Sequence, residues 1–386
     1  MRLGAYTDYT YARDGDRLYA ERAFAIFLAR LAPRFERLTL IGRLNPRPQG
    51  ARYPIPSEIA FVPLPYYETL TSPGPVLRSM VVSVRRFWRA LDELDAVWLL
   101  GPHPLAIVFA ALAVVRRRRV FLGVRQETPA YVRNRHPGRP LLHLAASALD
   151  ATYAALSRRC ATVVVGPALR HRYAHARALL ELTVSLVEPE DVVEPRVAHA
   201  RPYGGELTIL SVGRLEAEKN PLMLAEVLAR LCAANAKGWR LTVCGEGPLE
   251  DDLARRLAAL GLADRAQLRG YVPLAGGMRE AYRASHFLLH ASWTEGLPQV
   301  LIEAFAAGLP VVATDVGGIR EAVGEAAVLV PPGDAEGAAH ALEELAADGA
   351  LRGRLIDRSL DHARSHTIDR EVDRLAAFLS SAGAAA

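Results

Sequence analysis

The feature that most constrains this chain is the regular alternation, in its second half, of short apolar segments with longer amphipathic ones. Six candidate strands, LTILSV (207–212), RLTVCG (240–245), AQLRGY (266–271), HFLLHA (286–291), LPVVAT (309–314) and AAVLV (326–330), have helical patterns between nearly all of them. Strands that return to their sheet only after a helix form a parallel sheet covered on both faces. The first half repeats the scheme more loosely, with strands expected at 2–7, 38–42, 96–100, 120–124 and 161–166. At 386 residues the chain exceeds one ordinary core, so the expected class is α/β with two doubly wound, Rossmann-like lobes. The acidic, proline-containing stretch 187–206 is the expected linker, giving domains 1–195 and 200–366.

Composition excludes several classes. With 51% hydrophobic and 23% charged residues the chain reads as globular. Cys160, Cys232 and Cys244 show no CxxC spacing, so neither a disulfide framework nor a zinc site is expected, and a reducing cytoplasm fits. Residues 1–16 lack the apolar run of a secretory signal. The segment 96–115 imitates a membrane span, but Pro102, His103 and Pro104 leave an unbroken run of 11 residues, short of the roughly 20 that a span needs. It reads as strand, loop and buried helix.

Charge divides unevenly. Residues 1–200 hold 28 arginines against 17 acidic residues, a net of +11, and the remainder carries −6. A basic first half suits an anionic substrate or an anionic membrane surface, the alternative being solvated arginine on helix faces. No interleaving of aromatic and basic residues points to nucleic acid. On VRRFWRAL (84–91) the residues Val84, Phe87 and Leu91 share one helical face beside arginines, the pattern of a peripheral membrane surface, and VRRRRV (115–120) adds a second basic run.

Ligands of open parallel sheets bind outside the carboxyl ends of the strands. After the strand 207–212 comes GRLEAEKNP, which holds one of only two lysines, Lys219 and Lys237, among 47 basic residues. An ammonium is a compact point charge where a guanidinium is a planar fork, and a phosphate in a narrow loop is one ligand that prefers the former. Gly213 permits close backbone approach, and Asn220 with Pro221 reads as a capped helix start. Arg214 and Lys219 therefore stand at an anion site, or else form a surface turn with Glu216 and Glu218.

A second cluster lies in HASWTEGLPQVLIEAFAAGLPVVATDVGG (290–318). Glu295 precedes Gly296 in a strand-to-helix loop, Pro298 opens the helix, and Glu303 sits inside it among apolar neighbours. A carboxylate there needs a partner: a cation, or two hydroxyls such as a ribose diol.

Arg214 and Lys219 in GRLEAEKN, the pair Glu295 and Glu303, the CGEGP turn (244–248) and GYVP (270–273) together resemble the retaining glycosyltransferases of family 4, which have the GT-B fold. The resemblance is strong over 207–332 and faint before residue 200. It implies two lobes facing across a cleft, with a last helix, 367–386, returning to the first. It also implies that Arg214 and Lys219 hold the donor diphosphate, that Glu295 contacts donor-sugar hydroxyls with the backbone of Gly296 and Leu297 nearby, and that Glu303 binds the ribose. The base would lie near Gly245, Glu246 and Val272. In the first lobe the family's glycine loop after strand one is reduced to Gly15, and its strand-end histidine is replaced by Arg125, Gln126 and Glu127. His103, between two prolines, is either cleft-facing or a rigid turn. The implied reaction transfers a sugar from a nucleoside-diphosphate sugar to a hydroxyl acceptor of a cell-envelope or lipid-linked saccharide, in the cytoplasm or at the inner membrane face, without metal or cofactor. The triplet Asp14-Gly15-Asp16 is taken as a loop feature. A sugar-nucleotide epimerase and a non-catalytic nucleotide-sugar binder remain as alternatives, whereas a dehydrogenase is disfavoured because no G-x-G-x-x-G follows a strand.

Overall fold

A computed structural model describes residues 1–47, 53–67, 73–136, 138–234 and 238–382, so Lys237 lies outside the described residues. The chain divides into two units, Met1–Val184 with Asp369–Ala386, and Ser185–Ile368.

The first unit contains β1 (Arg2–Asp14), β2 (Arg17–Ala20), β3 (Arg37–Asn45), β4 (Tyr53–Ile55), β5 (Ala60–Pro65), β6 (Ala96–Gly101), β7 (Arg119–Val124), β8 (Ala161–Val165) and β9 (Ala178–Leu182). The parallel succession is β5-β3-β1-β6-β7-β8-β9, while β2 pairs antiparallel with the outer half of β1 and β4 with β2. The sequence reading anticipated β1, β3, β6, β7 and β8. It missed β5, whose Pro63 and Pro65 are tolerated because, among the described residues, β5 pairs with β3 alone.

Gly15, the glycine offered in place of the family's loop after strand one, lies instead in a hairpin turn. Backbone pairing continues along β1 to Asp14, and Asp14 pairs with Arg17, so Gly15 occupies a two-residue hairpin turn with φ +57° on the exposed tip. Left-handed backbone at that point is what glycine supplies.

The membrane-facing reading of residues 84–91 is also corrected. Phe87 and Leu91 are fully buried, Val84 packs on the same core, and the Phe87 ring stacks on Phe109 with centroids 4.0 Å apart. The apolar stripe faces inward and its arginines outward, as on any amphipathic surface helix. Among the described residues no helix is long and apolar enough to cross a membrane.

The second unit contains β10 (Leu207–Val212), β11 (Trp239–Cys244), β12 (Ala266–Leu268), β13 (Phe287–His290), β14 (Val311–Thr314) and β15 (Val328–Val330), all parallel in the order β12-β11-β10-β13-β14-β15. Ile209 belongs to one hydrophobic core and its neighbour Leu210 to another, so both faces of the sheet are covered. Residues 185–199, read from the sequence as first domain and linker, cluster with this unit. Val193 N donates to Ala306 O at 2.9 Å, and Ala198 packs with Ile356 and Leu360.

The last helix, Ile368–Ser381, joins the first unit from Asp369 onward. Glu371 is fully buried and accepts from Thr183 N, and Asp369 and Asp373 pair with Arg30 and Arg34.

Candidate functional site

In the second sheet the strand order reverses between β10 and β13. The loops leaving these two strands diverge around a crevice in any doubly wound sheet, which is where ligands bind. Here backbone bonds stitch these loops to each other and to the ends of β11 and β12. Trp293 N donates to Glu218 O at 2.8 Å, Gly213 N to Cys244 O at 3.0 Å, Leu215 N to Glu246 O at 2.9 Å and Gly245 N to Gly270 O at 2.8 Å. Two glycines make the packing possible. A Cβ on Gly245 would lie 1.8 Å from Gly213 O, and one on Gly317, at φ +57°, would lie 2.1 Å from Glu295 O.

Lys219 closes a short 3-10 turn, Ala217–Lys219, and Asn220 follows in left-handed backbone at φ +49° before the helix Leu222–Ala234. Among the described residues the Asn220 carbonyl oxygen Oδ1 makes no capping bond, and its Nδ2 donates to Met223 Sδ at 3.5 Å. The turn aims Lys219 Nζ at Glu295 Oε1. Ser292 Oγ donates to the same oxygen at 2.7 Å, and His290 Nε2 lies 2.9 Å from it. Thr314 Oγ1 donates to Ser292 O at 2.7 Å and so fixes the loop that carries both. The Glu295 side chain is 9% exposed. Burial by itself opposes ionisation, but the His290 hydrogen bond and the Lys219 charge outweigh it and hold the carboxyl down at about 2. Glu295 is thus an anion at neutral pH. Its three polar contacts fall on Oε1, which leaves Oε2 without a partner among the described residues.

Residues 197–361 match the family described as glycosyl transferases group 1. The second unit is a glycosyl transferases group 1 domain. Over 117 residues, 30% of this chain and 12% of the relative, the sequence is 44% identical to an exopolysaccharide phosphotransferase of Streptomyces coelicolor. It is 37% identical over 178 residues, 42% of this chain and 39% of the relative, to a D-inositol 3-phosphate glycosyltransferase of Stackebrandtia nassauensis. These matches span less than half the length of either relative. The structure of Anabaena HepE in complex with UDP superposes with a TM-score of 0.69 at 17% identity, covering 99% of this chain and 100% of that one. The fold is accordingly of the GT-B class, two α/β units with parallel sheets.

Within the group 1 domain the remaining expected residues separate into two sets. Glu303, on the helix Gln299–Ala306, accepts from the buried Tyr282 hydroxyl at 2.7 Å. Burial pushes its carboxyl above the usual range, the Tyr282 hydrogen bond works against that, and Asp191 adds to it. The cation that sequence reasoning offered as one partner is absent among the described residues, because Arg279 is engaged by Asp191 at 2.8 Å. Glu303 lines a small recess of about 30 Å³ with Val187, Asp191, Leu274 and Tyr282.

Arg214 is exposed and pairs with Glu216 at 2.5 Å and Glu218 at 3.1 Å, so for this residue the surface turn is what the group 1 domain displays. Gly296 is exposed and Leu297 half-buried just before the helix. Glu246 is exposed with its Oε1 facing Tyr271 N at 3.3 Å, and Val272 packs against the core on that side of the sheet. His290, Ser292 and Tyr282 were missed. His290 carried a faint signal, a polar residue ending an otherwise apolar strand, whereas Tyr282 carried none.

The first unit gathers its polar groups at its own order reversal, between β1 and β6. His103 is buried: Nδ1 accepts from Leu105 N at 3.2 Å and lies 3.0 Å from the Tyr6 hydroxyl, and Nε2 is 3.2 Å from the Tyr67 hydroxyl. Burial lowers it to about 4, which makes it a neutral imidazole that caps the helix Pro104–Val115. Arg125 pairs with Asp8 and covers the Tyr9 ring at 4.4 Å, and Gln126 beside it is exposed. Arg43 donates to Asp8 O and Tyr67 O. Gly15 lies on the hairpin tip and touches none of these groups. Among the described residues no three His, Cys, Asp or Glu side chains group to hold a metal ion.

Proposed function

We propose that the chain is a retaining glycosyltransferase of the family 4 type, moving a sugar from a nucleoside-diphosphate sugar to a hydroxyl acceptor without a metal. The observation that carries this reading is the convergence of Lys219, Ser292 and His290 on one oxygen of Glu295 at the order reversal of the second sheet. An entering diphosphate competes with Glu295 for the Lys219 ammonium. Glu295, ionised and held through Oε1, presents Oε2 to hydroxyls of the donor sugar. Arg214, tied by two exposed ion pairs worth little in water, can exchange them for phosphate. Glu303 then accepts from the ribose diol.

In same-face transfer the bond from the anomeric carbon to the phosphate oxygen breaks as the bond to the acceptor oxygen forms, and the acceptor proton passes to the departing oxygen. No protein base is required. Cations fixed at the diphosphate stabilise the charge that grows there, each contributing roughly 3–4 kcal/mol when its loss is measured. The UDP in the Anabaena structure supports a uridine donor. The names of the exopolysaccharide and inositol-phosphate relatives support a saccharide or phosphorylated polyol acceptor. The +11 charge of residues 1–200 favours an anionic acceptor, or contact with an anionic membrane from the cytoplasmic side.

Radiolabelled UDP-, GDP- and ADP-sugars, supplied with and without hydroxyl acceptors, test the reading. Acceptor-dependent transfer with the anomeric configuration kept supports it. Donor turnover without an acceptor makes the protein an epimerase, and tight nucleotide binding with no turnover makes it a sensor.

A further inference from the structure

We propose that the first unit carries a binding site for a ligand bearing clustered phosphate groups, in a recess at the end of the sheet opposite the strand-end loops described above. Arg117, Arg118, Arg119, Arg159 and Arg177 line a recess of about 250 Å³, and among the described residues no acidic side chain joins them. The recess lies where β7, β8 and β9 begin. Arg117, Arg118 and Arg159 form no ion pair with any described carboxylate. Neighbouring Arg116, by contrast, is paired with Asp92, and Asp95, whose backbone carbonyl meets Arg119 N, is paired with Arg2. Arg118 Nε is buried without a hydrogen-bond partner.

An ordinary explanation for arginines in this position is capping of helix C-termini. The helices Pro104–Val115 and Pro140–Ser157 both end here, and each offers roughly half a negative charge from its last carbonyls. The geometry does not use that offer, since none of Arg117, Arg118 or Arg159 donates its guanidinium to a described carbonyl. Arg117, Arg118 and Arg159, like charges with no carboxylate partner among the described residues, raise the energy of the folded chain, and a ligand with several anionic oxygens removes that repulsion while giving bidentate partners to the guanidinium forks. Beside the recess Val114 and Val115 are 61% and 70% exposed. Phosphate chemistry is therefore available from two sources, a free polyphosphate or the headgroups of an anionic membrane against which the two valines would lie.

Arginine labelling by phenylglyoxal, read by peptide mass spectrometry on the full chain, tests the site. The additions are inorganic tripolyphosphate, phosphatidylglycerol vesicles, or phosphatidylcholine vesicles, at matched ionic strength. Labelling of Arg118 and Arg159 should slow by about tenfold, equivalent to ~1.4 kcal/mol of occupancy-linked protection, while the exposed Arg230 is unaffected. Protection by tripolyphosphate alone assigns a soluble polyanion, and protection by phosphatidylglycerol vesicles assigns a lipid headgroup. Unchanged labelling with both, or equal protection by phosphatidylcholine, overturns the proposal. An Arg118→Ala/Arg159→Ala variant with a wild-type melting curve should lose the binding of the protecting anion, and its retention would equally overturn the site.

Discussion

Lys219 Nζ and Glu295 Oε1 form a direct ion pair between positions 76 residues apart in the chain, joining the loop after β10 to the loop after β13. In a protein whose other basic side chains are almost all arginine, the compact ammonium here meets a single carboxylate oxygen that Ser292 and His290 also contact.

Replacing Lys219 should accordingly remove transfer rather than the fold. Lys219→Ala is expected to lower kcat by about two orders of magnitude or more, with Lys219→Arg recovering only part, because one fixed cation at a developing charge is worth roughly 3–4 kcal/mol. Initial-rate kinetics beside a thermal melt check it. Wild-type turnover in Lys219→Ala would remove the phosphate role.

Much of this site was readable in the sequence because its restraints are local. Gly213 and Gly245, the strand ends and the Glu295 and Glu303 spacing follow from backbone geometry and motif. What was not readable depends on side-chain convergence across the sheet. Nothing near Tyr282 in the chain announces that its hydroxyl will meet Glu303, and Arg125 with Asp8 are 117 positions apart. The inward turn of Phe87 was likewise hidden, since an amphipathic helix rich in arginine looks the same whether its stripe meets lipid or a core.

The depressed Glu295 carboxyl makes stability depend on pH in one direction. Its folded value of about 2 lies below the reference of 4.5, so its contribution is complete above about 4.5 and disappears as pH falls towards 2. Urea unfolding of wild type and Glu295→Gln should therefore differ by a few kcal/mol at pH 7 and by much less at pH 3. A gap that does not narrow on acidification would show that the ion pair is not its source.

Gly317 tests whether Glu295 is held in place by its neighbours. A Cβ at Gly317 would fall 2.1 Å from Glu295 O, in left-handed backbone that an alanine resists. Gly317→Ala should lower kcat at least about tenfold by displacing Glu295. The control is Gly138→Ala, also left-handed at φ +78° but with open space around it, which should lose only stability. Equal kinetics in the two variants would separate Gly317 from the site.

Glu303 should act on the nucleotide rather than on the sugar. Glu303→Gln keeps an acceptor for Tyr282 but loses the carboxylate, which should weaken UDP binding by about 1–3 kcal/mol in calorimetry. Because burial raises this carboxyl, wild-type affinity should also fall as the solution is acidified through its raised value, and the variant should lack that step. Identical titrations for the two proteins would rule out the ribose assignment.

The last helix ties the C-terminus into the first unit, and its removal should be felt there. Val372, Leu375 and Leu379 are fully buried, and Glu371, also buried, accepts from Thr183 N at 3.2 Å and from Arg374 at 2.7 Å. Ending the chain at Thr367 strands the Thr183 amide and exposes the apolar surface that these side chains cover. Hydrogen exchange should then speed up in residues 24–34, which lose the partners of Arg30 and Arg34, and in residues 178–184, with less change in the sheet β10–β15. Leu375→Ala provides a version that need not unfold the unit, with an expected cost of about 2–5 kcal/mol. If exchange in both segments stayed at the wild-type rate after the truncation, the helix would contribute nothing to the first unit, and the reason for burying Glu371 would have to be sought elsewhere.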